Sequence, residues 1–188
     1  MLSAQLITIG TEITSGEIVN SNASWLSLRL EELGIRVYSH LTVRDQREEI
    51  LGVLNYAKHP VIVVTGGLGP TSDDITRDCL ADFSGRQLEF DDRVWEEMKA
   101  LYQKRQLPIR DAHRWQCRFP SGSERLANSV GTALGFSFEH LGRHYFALPG
   151  PPRELEAMWH EEACPRLQKH LGAPTHDWVR WTCLGVPE

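Results

Sequence analysis

The chain has 188 residues, of which 41% are apolar, and a net charge of −5. This length supports one well-packed core, and the negative charge argues against a role dominated by nucleic-acid phosphates. The four cysteines form no Cys-x-x-Cys pair, so we expect neither a zinc site nor a disulfide framework. No window approaches the ~18 apolar residues of a membrane span, so we expect no membrane partner. We expect a cytoplasmic protein without a nucleic-acid partner.

Short apolar runs alternate with amphipathic segments, which is the pattern of β-α-β units around a parallel sheet. In the first half of the chain, strands are predicted at residues 4–10, 35–43 and 61–64, and helices at 20–34, 46–58 and about 73–83. Asn20 and Asn22 are candidate caps of the first helix, and Gly34 is expected just past its end.

The second half predicts a charged helix over 91–103, a short helix within 109–120, strands at 135–140 and 143–150, and a closing helix over 152–171. Pro165 is expected to bend or divide that closing helix. Residues 1–171 are predicted to form one domain. Residues 172–188 are predicted to be a linker and the first strand of a following small domain.

The segment that joins the third strand to the third helix reads VIVVTGGLGPTSDDIT, residues 61–76. Gly66, Gly67 and Gly69 permit positive φ angles and let backbone N–H groups approach an anion. Neither common glycine motif fits, since no Lys follows the glycines as in a P-loop and Ser72 stands where a dinucleotide fingerprint has its third Gly. The segment therefore predicts an anion-binding loop of another kind.

Asp73 and Asp74 directly follow this loop. Two carboxylates would repel a bare phosphate, but Mg²⁺ is commonly held by one or two carboxylates together with phosphate oxygens and water. The alternative is that both aspartates cap the following helix and interact favourably with its dipole. The segment alone leaves both readings open.

Three more segments contain turns with spaced glycines: TIGTEITSG at 8–16, NSVGTALGF at 128–136 and LPGPPRELEAM at 148–158. In parallel sheets, ligands bind where strands end and helices begin. Two of these turns carry an acid, Glu12 and Glu154. We expect all four turns to line one crevice.

Taken together, the four turns resemble the N-terminal domain of the CinA (competence/damage-inducible protein) family, within the molybdopterin-binding-domain superfamily that includes MoaB- and Mog-like proteins. The resemblance implies a three-layer α/β/α fold with a mostly parallel sheet and a pocket for a nucleotide or a pterin phosphate. In this sequence the family's paired acids fall at Asp73 and Asp74, its phosphate loop at Gly66, Gly67, Gly69, Pro70 and Thr71, and its other site positions at Glu12, Asn22, Thr76, Asn128, Gly131, Gly150 and Glu154.

The resemblance implies metal-dependent pyrophosphatase action on ADP-ribose, FAD or similar nucleotides, with Asp73 and Asp74 as catalytic residues that hold Mg²⁺, Mn²⁺ or Co²⁺. It also implies a homo-oligomer. One departure from the family's Gly-Asp-Glu pattern is Thr11, between Gly10 and Glu12, which removes a charge. Three alternatives stay open: a molybdopterin- or nucleotide-binding module without hydrolysis, a molybdopterin adenylyltransferase, and a purely structural oligomerisation domain.

Overall fold

The structure is a computed structural model that describes residues 2–172. The strand predicted near the end of the chain lies outside the described residues. The strands are β1 Ser3–Ile9, β2 Arg36–Val43, β3 Val61–Thr65, β4 Leu88–Phe90, β5 Arg118–Pro120, β6 Glu124–Leu126, β7 Gly135–His140 and β8 Arg143–Leu148. The helices are α1 Thr11–Thr14, α2 Ser21–Glu32, α3 Arg47–Tyr56, α4 Thr76–Ser84, α5 Asp92–Lys104, a 3-10 helix Asp111–Cys117, α6 Pro152–Met158, a π-helical turn Trp159–Ala163 and α7 Cys164–Leu171.

Six strands form the main sheet in the order β2-β1-β3-β8-β7-β6. The four strands β2, β1, β3 and β8 are parallel, whereas β7 and β6 are added antiparallel at one side. The predicted mostly parallel sheet is confirmed. The short strands β4 and β5 pair with each other outside this sheet.

The sheet is covered on both faces because its central strands are apolar on both sides. In β3, Ile62 and Val64 belong to one buried cluster together with residues of α3, α4 and α5. Val61 and Val63 belong to a second cluster with residues of α2, α6 and α7. Since neighbouring strand residues point to opposite faces, this alternation makes a three-layer α/β/α fold, as predicted.

The helix and strand predictions hold except where elements are very short. Helix α1 and the three-residue strands β4, β5 and β6 were not predicted, because three or four residues show no hydrophobic period. The closing helix is divided, as predicted, with the π-helical turn ending two residues before Pro165. Within residues 2–172, no helix combines the length and the apolar character needed to cross a membrane. The cytoplasmic location stays a prediction.

The strand register brings the glycine-rich turns to one edge of the sheet. Thr65, the last residue of β3, pairs with Thr8 on one side and with Leu148 on the other. Strand β7 runs in the opposite direction, so its beginning lies beside the end of β8. The turn that precedes β7 therefore reaches the same edge as the loops that follow β1, β3 and β8.

Candidate functional site

A cleft of about 630 Å³ opens at this edge, the carboxyl ends of the parallel strands. Its walls come from the loops after β1, β2, β3 and β8, from the turn before β7, and from Gln116 of the 3-10 helix. This is the position at which open α/β sheets bind ligands. The predicted crevice is confirmed.

The loop after β3 is built around two glycines with positive φ, +95° at Gly66 and +64° at Gly67. A Cβ at Gly66 would collide with the carbonyl oxygen of Ile9 in the neighbouring strand, and a Cβ at Gly67 would collide with Oγ1 of Thr76. The Thr76 hydroxyl donates to the Gly66 carbonyl at 2.8 Å. Thr76 is fully buried, so it fixes the loop from beneath and does not line the cleft.

The same loop carries three backbone donors that have no partner. The N–H groups of Gly67, Leu68 and Gly69 donate to no acceptor within residues 2–172, and all three residues line the cleft. Consecutive unengaged N–H groups in a turn form a concave site for an anion. Pro70 ends the run because it has no N–H.

Asp74 holds the next part of the loop. Its Oδ2 accepts hydrogen bonds from the backbone N–H of Thr71 at 2.9 Å and from the Thr71 hydroxyl at 2.6 Å. Helix α4 begins only at Thr76, its N-cap is Ile75, and no side chain caps it. The interpretation of Asp73 and Asp74 as helix caps is therefore wrong, and both carboxylates line the cleft.

Arg77 supports the loop from the protein interior. It is buried, and its guanidinium donates to the carbonyls of Leu68 at 2.8 Å and Leu134 at 2.9 Å. Burial lowers the pKa of Arg77 to about 10, and the nearby Asp74 carboxylate partly opposes this shift. The side chain is thus charged at neutral pH but does not line the cleft.

Glu154, in the first turn of α6, is held by the turn before β7. Asn128 donates from Nδ2 to Glu154 Oε2 at 2.7 Å and to the Ala133 carbonyl at 2.9 Å. Its Oδ1 accepts from the N–H of Gly131 at 2.6 Å. A Cβ at Gly131 would collide with the Glu154 carboxylate in its present position, so a larger residue there would displace that carboxylate. Asn128 and Gly131 therefore orient Glu154 rather than lining the cleft themselves.

Asn22 ties the loop after β8 to the opposite wall. Its Nδ2 donates to the carbonyl of Gly150 at 2.7 Å. Asn20 is the N-cap of α2 and accepts from the Ala23 N–H at 3.1 Å, while its own Nδ2 donates to Thr8 Oγ1 at 2.9 Å. Both asparagines line the cleft at the start of α2.

The position where a family Asp was expected carries Thr11, and a carboxylate reaches it from another loop. Asp45, just past the end of β2, accepts hydrogen bonds at 2.8 Å from both the N–H and the hydroxyl of Thr11. Asp45 and Glu12 both line the cleft. A carboxylate is thus present beside the neutral residue 11, and Asp45 was not among the site residues predicted from the sequence.

The cleft is strongly acidic. Five carboxylates line it, those of Glu12, Asp45, Asp73, Asp74 and Glu154, and no Lys, Arg or His of residues 2–172 does so. This donor set fits a hard divalent cation shared with phosphate oxygens and water. It does not fit a cation held by protein ligands alone, since no three His, Cys, Asp or Glu side chains within the described residues form a metal-binding group.

Of the predicted site residues, the cleft brings together Glu12, Asn22, Gly66, Gly67, Gly69, Pro70, Thr71, Asp73, Asp74, Gly150 and Glu154. Thr76, Asn128 and Gly131 lie behind this lining. Among the lining residues that were not predicted from the sequence are Asp45, Gln116 and the exposed apolar pair Ile18 and Val19. Asp45 follows the end of a predicted strand, so the strand-end rule could have found it. Gln116 carries no local signal.

A family model described as "Probable molybdopterin binding domain" matches residues 5–169. The chain belongs to this family. Within it, the chain is a CinA-type domain: it is similar to the crystal structure of the protein CinA from Thermoplasma acidophilum, with 30% identity, a TM-score of 0.77, and coverage of 90% of this chain and 97% of that one.

Relatives named "Putative competence-damage inducible protein" agree with this assignment. The one from Limosilactobacillus reuteri is 38% identical over 172 residues, and the one from Bacillus subtilis is 37% identical over 172 residues. Each alignment covers 90% of this chain but 41% of the relative, so the CinA-type domain spans about two fifths of those proteins. A molybdenum cofactor biosynthesis protein B shares the fold, with a TM-score of 0.58 at 17% identity and coverage of 89% of this chain and 92% of that one.

Proposed function

We propose that this CinA-type domain hydrolyses the pyrophosphate bond of nucleotides such as ADP-ribose or FAD with the help of a divalent cation. The observation that carries the proposal is the pairing of a backbone anion site with five carboxylates and no basic side chain among the described lining residues. A pyrophosphate carries negative charge, so its presence beside those carboxylates requires a cation to neutralise both. Membership of a molybdopterin-binding-domain family supports a small-molecule ligand but indicates no particular reaction.

Asp73 and Asp74 would hold the cation. Asp74 Oδ2 is already occupied by Thr71, while its Oδ1 accepts no hydrogen bond from residues 2–172 and is left for this purpose. When bound, a divalent cation such as Mg²⁺, Mn²⁺ or Co²⁺ neutralises phosphate charge and lowers the pKa of an attacking water.

The chain's own contribution is positioning. The N–H groups of Gly67, Leu68 and Gly69 bind phosphate oxygens without any rearrangement, because Thr76 and Arg77 already fix the loop from below. Preorganised donors of this kind stabilise developing charge at little reorganisation cost. Glu154, held in place by Asn128, lies on another wall of the same cleft and limits where an anionic group can be placed.

A nucleotide- or pterin-binding module without hydrolysis is the second candidate. It is favoured by the family's description as a binding domain and by the lack of a three-ligand metal group within residues 2–172. Adenylyl transfer to a pterin finds less support, since the molybdenum-cofactor proteins of this fold are too distant in sequence to indicate more than the fold. The homo-oligomer stays a prediction that light scattering can test.

The deciding experiment measures AMP release from ADP-ribose and from FAD, in EDTA and with Mg²⁺, Mn²⁺ or Co²⁺. We expect cation-dependent release that falls roughly 100-fold or more in Asp74→Asn. The Asn side chain can still accept the Thr71 hydrogen bonds, so the loop is kept while the charge is lost. Glu97→Gln on the exposed face of α5 is the matched control and should keep full activity.

If no AMP is released with any of the cations while ADP still binds measurably, hydrolysis is refuted and the binding module is the remaining candidate. Equal activity of Asp74→Asn and the parent protein would exclude Asp74 as a cation ligand.

A further inference from the structure

Gln116 is a polar side chain buried in the floor of the cleft. It is 1% exposed, lines the cleft, and its Oε1 has no hydrogen-bond partner within residues 2–172. Its Nε2 donates to the carbonyl of Leu68 at 3.4 Å. The opposite amide orientation would set two acceptor oxygens against each other, so the carbonyl oxygen of the amide is the atom left unpaired.

An unpaired acceptor selects the kind of group that can bind to it. Phosphate oxygens are acceptors, as are carboxylates, so neither can satisfy Gln116 Oε1. The partner must be an N–H or O–H donor. In a nucleotide, such donors lie on the base and on the ribose, away from the phosphates.

Thr65 lines the same cleft, but its hydroxyl differs from the Gln116 carbonyl oxygen in the hydrogen bonds that it can make. Its Oγ1 is also buried and without a partner among residues 2–172, and it too lines the cleft. A hydroxyl can both donate and accept, and Thr65 directly precedes Gly66 of the anion-binding loop. Thr65 can therefore bind a phosphate oxygen, whereas the carbonyl oxygen of Gln116 cannot.

We propose that Gln116 is a specificity-determining residue that accepts a hydrogen bond from the nucleoside part of the ligand, either the exocyclic amino group of adenine or a ribose hydroxyl. This rests on the proposed function as far as the ligand is a nucleotide, but it does not require hydrolysis. A ligand that lacks the donor leaves the buried oxygen unpaired, which weakens binding roughly 10-fold or more.

The test measures, in Mg²⁺ buffer, the dissociation constants of ADP and of three analogues that each lack one donor: purine riboside 5′-diphosphate, 2′-deoxy-ADP and 3′-deoxy-ADP. We expect the parent protein to bind one analogue roughly 10-fold or more weakly than ADP. In Gln116→Met, ADP should bind about as weakly as that analogue. The ratio of the analogue's dissociation constant to that of ADP, measured in this variant, should therefore approach one. The analogue that loses affinity identifies the base or the ribose as the source of the donor.

Gln103→Met, on the exposed face of α5, is the matched control and should keep the parent ratio. If Gln116→Met does not fold by circular dichroism, Gln116→Asn, which withdraws the carbonyl oxygen by one methylene, takes its place with the same expected ratio. Affinities within twofold for all four ligands in the parent protein, or an unchanged ratio in the Gln116 variants, would overturn the proposal. Its failure is distinct from failure of the proposed hydrolysis, which is decided by AMP release alone.

Discussion

The structure predicts a large loss of stability for Gly66→Ala. The residue has φ +95°, a region that L-residues occupy at a cost of about 1–3 kcal/mol. The added Cβ would also lie well inside the ~3.5 Å contact optimum of the Ile9 carbonyl oxygen, which belongs to the backbone of β1 and cannot turn away. Together we expect a loss of about 3–5 kcal/mol, a large part of the 5–15 kcal/mol typical of a domain.

Gly52→Ala is the matched control, because the same methyl group is added where nothing opposes it. Gly52 lies inside α3, is exposed, and would have no atom within 4 Å of its new Cβ. Replacing an exposed helical Gly by Ala stabilises by about 0.5–1 kcal/mol. The two variants should therefore shift stability in opposite directions.

Urea unfolding followed by circular dichroism measures both effects on one scale. For a chain of this size, 1 kcal/mol corresponds to about 2–4 °C in Tm, so thermal melts should separate the two variants by about 7 °C or more. Equal midpoints for Gly66→Ala and the parent protein would refute the close approach of the β1 and β3 ends from which the cleft geometry is derived.

Three further outcomes can be checked. Asn22→Ala should cost about 1–2 kcal/mol in urea unfolding and weaken ADP binding, since it leaves the Gly150 carbonyl unpaired; unchanged values would exclude this hydrogen bond. Asp45→Asn should raise the Mg²⁺ concentration needed for half-maximal ADP binding several-fold, because it removes one of five cleft charges; an unchanged requirement would contradict that role. Burial raises the pKa of the Cys79 and Cys117 thiols from 9 to about 11. The contribution of these neutral thiols to the free energy of unfolding is therefore complete below pH 9 and is lost as the pH rises to 11. Rapid labelling of either thiol at about pH 8 in the native protein would contradict this burial.

Much of the fold could be predicted because each long element carries its own period. The four apolar residues of β3 and the spaced leucines of α2 are read directly from the chain, and the parallel sheet follows from their alternation. The three-residue strands could not be predicted, because their pairing depends on neighbours such as Phe119, which packs against Phe136 of β7 only in the folded protein.

Some features of the site could also be predicted from the sequence, and others could not. The glycine turns were recognisable because positive φ and strand ends leave a local pattern, and Gly66 and Gly67 have that conformation. What each residue does inside the cleft was not readable. Asn128 lies behind the cleft lining and donates to Glu154, and Gln116 contacts Leu68, 48 positions away in the sequence.

The buried guanidinium of Arg77 has a consequence for how anion binding responds to acidity. It donates to the Leu68 carbonyl of the β3 loop, and its pKa of about 10 keeps it protonated from acid to mildly alkaline solution. Backbone amides do not titrate in this range either. The attraction of the loop for phosphate should therefore be nearly constant between pH 6 and 9, so that a steep change of binding over this range would arise from groups outside the loop.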